Sequence, residues 1–161
     1  TRFVCASVDA LPLASGTRPW VWSQHAIMNV PDTPGMYREV ARVLAPGGRF
    51  VHHDIVGGPA GPPYFPVPWA SEPAASFLQP PGAIREQIEA AGLVRCEWHD
   101  LTEDVIANLR ASRADRAAGE PESPGPHLVL GPSFHEMRDN LGRSLEDQRA
   151  GVVRGVWEKP A

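Results

Sequence analysis

Glu39-Val40-Ala41-Arg42-Val43-Leu44-Ala45-Pro46-Gly47-Gly48-Arg49 decides the fold of this chain. Upstream, Met36, Tyr37, Val40, Val43 and Leu44 recur at spacings of three and four. That spacing gives a helix one apolar face. Thr33 is the expected cap, and Pro34 suits the first turn, where no backbone donor is needed. Pro46-Gly47-Gly48 ends the helix, and Arg49-Phe50-Val51-His52-His53-Asp54-Ile55 follows as a strand.

The same punctuation extends outward. Phe3 to Val8 reads as a short strand, closed by Asp9-Ala10-Leu11-Pro12. Ala14 to Pro19 reads as a turn, and Trp20-Val21-Trp22-Ser23 as a second strand running into Gln24-His25-Ala26. Beyond the central strand a helix starts near Pro81, with Ile84, Ile88 and Ala91 on its face and Gly92 as a left-handed stop. Leu93 to Trp98 is the next strand, and Thr102 opens a helix turning Val105, Ile106 and Leu109 inward. Gly119 to Pro126 reads as loop. Ser133-Phe134-His135-Glu136 reads as a capping box ahead of Met137, Leu141 and Leu145. Gly151 to Trp157 is the last strand. Strands alternating with helices predict an α/β sheet with helices on both faces.

Prolines number 18 and glycines 15, and eight of the prolines lie between Gly57 and Pro81. This is one long loop in an otherwise regular fold. A hydrophobic share of 42% over 161 residues suffices for a core. Net charge is −4, and the 21% charged residues form no long run of one sign. That balance argues against a nucleic-acid partner and against a disordered acidic tail. No apolar run approaches membrane-spanning length, so no membrane partner is expected. Thr1-Arg2-Phe3-Val4-Cys5 has no basic region before a long apolar stretch, so no signal peptide is expected. Cys5 and Cys96 form neither a metal pair nor a disulfide framework. Both are expected to be reduced and buried, and the chain cytoplasmic.

Three segments now coincide: Asp9-Ala10-Leu11-Pro12-Leu13 after one strand, Val21 to Ala26 at the end of the next, and Glu39 to Arg49 between helix and strand. Together they resemble class I S-adenosylmethionine-dependent methyltransferases of the small-molecule type, over nearly the whole chain. The resemblance implies a Rossmann-like sheet of order 3-2-1-4-5-7-6 with the last strand antiparallel. On that map residues 1–161 form a partial methyltransferase domain beginning at the family's third strand, Phe3–Val8. Its fourth to seventh strands would be Trp20–Ser23, Phe50–Ile55, Leu93–Trp98 and Val152–Trp157. The family's glycine-rich loop after strand 1 and its ribose-binding acid have no counterpart in this sequence. A natural truncation, a degenerate gene and a fragment of a longer protein each account for that.

The resemblance also implies site residues. Asp9 and Ala10 would bind the adenine of S-adenosylmethionine; the alternative is that Asp9 only caps a turn. Ser23, Gln24 and His25 would lie beside the transferred methyl and its small-molecule acceptor. His25 is the candidate catalytic base, since an imidazole titrates near neutrality; positioning or packing is the alternative. Within His52-His53-Asp54 the strand period puts His53 on the face opposite the other two, so a metal site is not expected and His53 is placed in the acceptor cleft. The loop over residues 57–81 would cover that cleft as a substrate lid. Its aromatics Tyr64, Phe65, Trp69 and Phe77 would form apolar walls or anchor the loop on the core. Trp98 and Trp157 are expected in the core. Either the third strand slides beside the fourth, or two chains pair through open edges; the homodimer is the expectation. A non-catalytic remnant acting as a subunit is the other functional reading.

Overall fold

The computed structural model describes residues 3–118 and 124–161. Among them four strands form one sheet: β1 (Arg18–Gln24), β2 (Leu44–Gly57), β3 (Val94–Asp100) and β4 (Ala150–Glu158), in the order β1-β2-β4-β3. β1 runs parallel to β2, with Val21 opposite Phe50 and Gln24 opposite His53. β4 runs antiparallel to both β2 and β3, placing Trp157 opposite Phe50 and Arg154 opposite His53. This is the 4-5-7-6 half of the sheet that the resemblance implied.

The helices divide between the two faces because β2 alternates. Phe50, His52, Asp54 and Val56 are buried toward α1 (Thr33–Val43) and α2 (Pro81–Ala90), in a core with Tyr37, Val40, Ile84, Ile88 and Trp157. Ile55 faces α3 (Thr102–Ala117) and α5 (Phe134–Glu146), packing with Ile106, Leu145 and Val152. A single turn, α4 (His127–Leu130), precedes α5. No helix of the described residues is long and apolar enough to cross a membrane.

Several local expectations change. Phe3–Val8 is not a strand: it is irregular, with Phe3 92% exposed. A strand exists only by pairing, and no described strand lies beside this segment, which has not slid against β1 either. The sheet therefore has four strands rather than five. β1 begins at Arg18, so Pro19 lies within the strand's start, where the register slips and an edge tolerates a missing donor. Asp32, not Thr33, caps α1, accepting from the Gly35 amide at 2.9 Å. The Thr33 hydroxyl is engaged elsewhere, donating to Gln87 at 2.7 Å and accepting from Gln79 at 3.0 Å. Ser133 makes no capping bond, because its backbone is already helical (φ −76°, ψ −4°) where a cap needs an extended one. Neither cysteine is buried. Cys5 lies in the irregular opening segment, and Cys96 lies on β3, an edge strand exposed along nearly its whole length, where the register shifts between Arg95 and Glu97. The expected loop at Gly119–Pro126 lies outside the described residues as far as position 123.

Candidate functional site at the ends of β1 and β2

Two parallel strands end together here. The register that pairs Ser23 with His52 and Gln24 with His53 ends both strands at one corner of the sheet, with Gln24 and His53 on one face, Ser23 on the other beside His52, and His25 next along the chain. The chain then turns sharply. His25 takes a left-handed conformation, φ 50°, which costs a non-glycine residue about 1 kcal/mol. Its amide donates to the His53 carbonyl at 2.9 Å, and the two imidazole rings lie 4.9 Å apart, tilted by 50°. Burial first, then the neighbouring His25, holds the His53 imidazole below its ordinary range. Ser23 Oγ and His53 Nε2 are buried and have no hydrogen-bond partner among the described residues. Unsatisfied buried polar atoms at strand ends are what a ligand-binding corner presents.

The next residue of β2, Asp54, is completely buried on the opposite face. Its Oδ1 accepts from the amides of Ala26 (2.8 Å) and Ile27 (3.2 Å), the start of the 3₁₀ turn Ile27–Asn29. Its other oxygen stands 3.8 Å from His52 Nδ1. Burial first, then the charge of Asp54, pushes the Tyr37 phenol well above its ordinary value. His52 is also fully buried, stacked between Phe50 and Trp157, with Gly155 bare beneath it. His52 and Asp54 thus share a face that His53 does not, and among the described residues no group of three or more metal-ligating side chains gathers.

Asp9 and Ala10 lie in the opening segment, both exposed. The Asp9 carboxylate accepts from the Ser7 hydroxyl, and the Ala10 amide donates to the Ser7 carbonyl at 3.2 Å. Two residues later the segment is fastened to α1: Glu39 accepts from the Leu11 amide at 2.7 Å, and Arg42 donates to the carbonyls of Leu11 (3.1 Å) and Leu13 (2.9 Å). Among the described residues no hydrogen bond joins Asp9 or Ala10 to the corner at His25.

The loop over residues 58–80 is closed at its base by the Gly57 amide donating to Gln79 at 2.8 Å. Tyr64 lies between two guanidiniums, Arg143 at 3.8 Å and Arg149 at 4.5 Å, and its hydroxyl donates to Asp147 at 2.9 Å. Trp69 packs on the second core and donates to Ser76 at 3.0 Å. Both rings therefore hold the loop down. Phe65 differs: with Gly58, Leu78 and Arg149 it borders a cavity of 280 Å³ beneath the loop. Phe77 is partly exposed, its amide donating to Met28 at 2.9 Å. Trp157 is fully buried and Trp98 packs half-buried against the same core.

Sequence reading missed the work of Asp54, Glu39 and Arg42. The available signals were a carboxylate inside an apolar strand, and a Glu–Arg pair three residues apart on a helix that otherwise packs.

Known proteins agree with this architecture. A family model described as a methyltransferase domain matches residues 1–52. The chain is 30% identical over 110 residues to a dimethylglycine N-methyltransferase of Parasynechococcus marenigrum (strain WH8102), a match covering 68% of this chain and 39% of that protein. Geranyl diphosphate C-methyltransferase of Streptomyces coelicolor A3(2), solved with Mg2+, geranyl diphosphate and S-adenosyl-L-homocysteine, superposes with a TM-score of 0.70 at 19% identity, over 96% of this chain and 50% of that one. The cyclase SpnF superposes with a TM-score of 0.68 at 20% identity, over 99% of this chain and 56% of that one. The chain is thus similar to methyltransferases in sequence, over residues 1–52 to the methyltransferase domain family, and has the Rossmann-like fold of the solved methyltransferases. It spans about two fifths of the dimethylglycine enzyme's length.

Proposed function

We propose that this chain forms the acceptor side of a methyl-transfer site, with S-adenosylmethionine as donor and a small molecule as acceptor. The observation that carries the reading is that β1 and β2 end together at Gln24, His25 and His53, the His25 and His53 rings 4.9 Å apart, with His53 Nε2 on that face and Ser23 Oγ on the other both buried and unpaired. The donor supplies an electrophilic methyl on a sulfonium. What remains for the protein is alignment of the acceptor and removal of its proton. In this reading Ser23 and Gln24 flank the sulfonium, His25 receives the acceptor's proton, and His53 borders the acceptor. Asp9 and Ala10 take the adenine. Phe65 contributes a wall, while Tyr64 and Trp69 keep the loop in place as a lid. The two exposed thiols suit a reducing, cytoplasmic setting.

These residues fit one flank of the cofactor. The orphaned polar atoms at the corner suit it, whereas no glycine-rich strand-to-helix turn in this sequence cradles its other end. We therefore expect the chain by itself to bind S-adenosylmethionine very weakly, and calorimetry showing tight saturable binding would reject that expectation. At high S-adenosylhomocysteine concentration, NMR shifts should concentrate at Ser23, Gln24, His25 and His53. Shifts elsewhere with a silent corner would reject the site.

A second reading is an assembly role, and one observation favours it. Trp20 and Trp22 are 59% and 72% exposed on β1, an edge strand, and Phe3, Val4 and Val8 of the opening segment are exposed as well. An open edge with bare indoles is a surface for another chain. Two copies pairing through β1 with twofold symmetry would cover it. Light scattering at micromolar concentration separates the cases: a monomer rejects the homodimer.

A further inference from the structure

The left-handed turn at His25 is held by bonds to two consecutive residues of β2. The His53 carbonyl takes the His25 amide, and the Asp54 carboxylate takes the amides of Ala26 and Ile27. The His53 carbonyl holds the turn in the plane of the sheet, and the Asp54 carboxylate holds it from the buried face. One result is the 4.9 Å approach of the His25 and His53 rings. Asp54 is fully buried, and its bonds are the only ones fixing the first two amides beyond the strained residue among the described hydrogen bonds. A buried carboxylate accepting two backbone amides makes a stronger hold than a neutral acceptor would.

We propose that Asp54 is a positioning residue: its carboxylate holds the left-handed turn at His25 and so keeps the His25 and His53 imidazoles together as a pair. The proposal rests on the reading that His25 serves the acceptor, but it concerns the ligand-free chain and is tested there. The groups that act on His53 are His25 from the turn, His52 and Asp54 from its own strand, and Arg154 from β4. Of these, His25 is the one whose distance depends on the turn. A positive charge on His25 that close opposes protonation of His53.

The test follows histidine ring protons by NMR through pH titration of the whole chain. In the wild-type background, His25→Ala should raise the midpoint of His53, because a competing imidazole is gone. In the Asp54→Ala background, with circular dichroism showing a retained fold, His25→Ala should leave the His53 midpoint where it is. Exchange of the Ala26 and Ile27 amides should rise about tenfold in Asp54→Ala, and less in Asp54→Asn, whose Oδ1 still accepts. A folded Asp54→Ala variant with the coupling intact and both amides protected overturns the proposal. Should Asp54→Ala fail to fold, Asp54→Asn decides. Faster exchange at Ala26 and Ile27, with the Val30 amide of the same turn unchanged, supports the hold; unchanged exchange at both overturns it. The measurement uses no ligand, so failure of the methyl-transfer reading, seen as a silent corner with S-adenosylhomocysteine, is a separate result.

Discussion

Two irregular stretches of this chain look alike in sequence and behave differently in structure. Residues 3–17 and residues 58–80 are both rich in small and turn-forming residues and interspersed with apolar ones. The second is fastened along its length. Tyr64 lies between Arg143 and Arg149, its amide donates to Ser144, Asn140 donates to the Pro66 carbonyl, and Val67 and Ala70 are buried. The first leaves Phe3, Val4 and Val8 exposed and is tied mainly through Glu39 and Arg42. Irregular backbone becomes structure when its polar groups find fixed partners and its apolar groups a core; composition alone does not tell the two apart.

The same substitution in the two stretches gives the largest contrast. A Cβ on Gly58 would stand 2.1 Å from the Gln148 carbonyl oxygen, a backbone atom with no freedom to swing away. Gly58→Ala should cost about 3 kcal/mol by forced displacement of the loop base. Gly16, at φ +68°, has nothing within 4 Å, so Gly16→Ala should cost only the left-handed strain, about 1 kcal/mol. Urea unfolding of both variants checks the ratio, and equal losses would erase the distinction between the stretches. Between these comes Tyr64→Ala, which removes a half-buried ring, two guanidinium contacts and the bond to Asp147. We expect a loss of about 2 kcal/mol, with protease cutting appearing first within 58–80.

What could be read from the sequence follows from how local each cause is. The helix at Thr33–Val43 and the alternation through Phe50–Ile55 depend on near neighbours, and the structure has them, although the helix stops at Val43 and Pro46-Gly47-Gly48 already belong to β2, which starts at Leu44. Phe3–Val8 has the composition of a strand, but its partner would have to come from elsewhere, and none of the described strands supplies one. Cys96 is exposed because its strand lies at the edge of the sheet, a place that pairing with β4 decides. The corner residues Ser23, Gln24 and His25 were legible through a family motif. The carboxylate that holds their turn was not, because Asp54 and Ala26 lie 28 residues apart. The loop aromatics were legible as a group, yet which anchor and which line a cavity depends on Arg143 and Arg149, far along the chain.

The smallest expected effect concerns the tie that holds the opening segment. Glu39 receives the Arg42 guanidinium at 2.7 Å and the Leu11 amide at 2.7 Å. The hydrogen bond from Arg42, foremost, keeps its carboxyl below the ordinary value of 4.5 even though partial burial opposes this. The folded form therefore binds its proton less readily than the unfolded chain does. The resulting stabilisation is complete above the ordinary value and is lost as pH falls through the lower folded value. Acid should thus loosen residues 3–13 at Leu11, while the Tyr64 ring, gripped by guanidiniums that keep their charge, stays in place. Amide exchange at Leu11 should accelerate on going from neutral pH to about pH 3, after correction for intrinsic exchange, with Tyr64 amide protection unchanged. In Glu39→Gln, which retains an acceptor for Leu11 but carries no charge, the Leu11 amide should be less protected at neutral pH and lose its acid dependence. Acid loosening that persists in Glu39→Gln would move the cause to another carboxylate, and loosening of both stretches together would mean that they open as one unit.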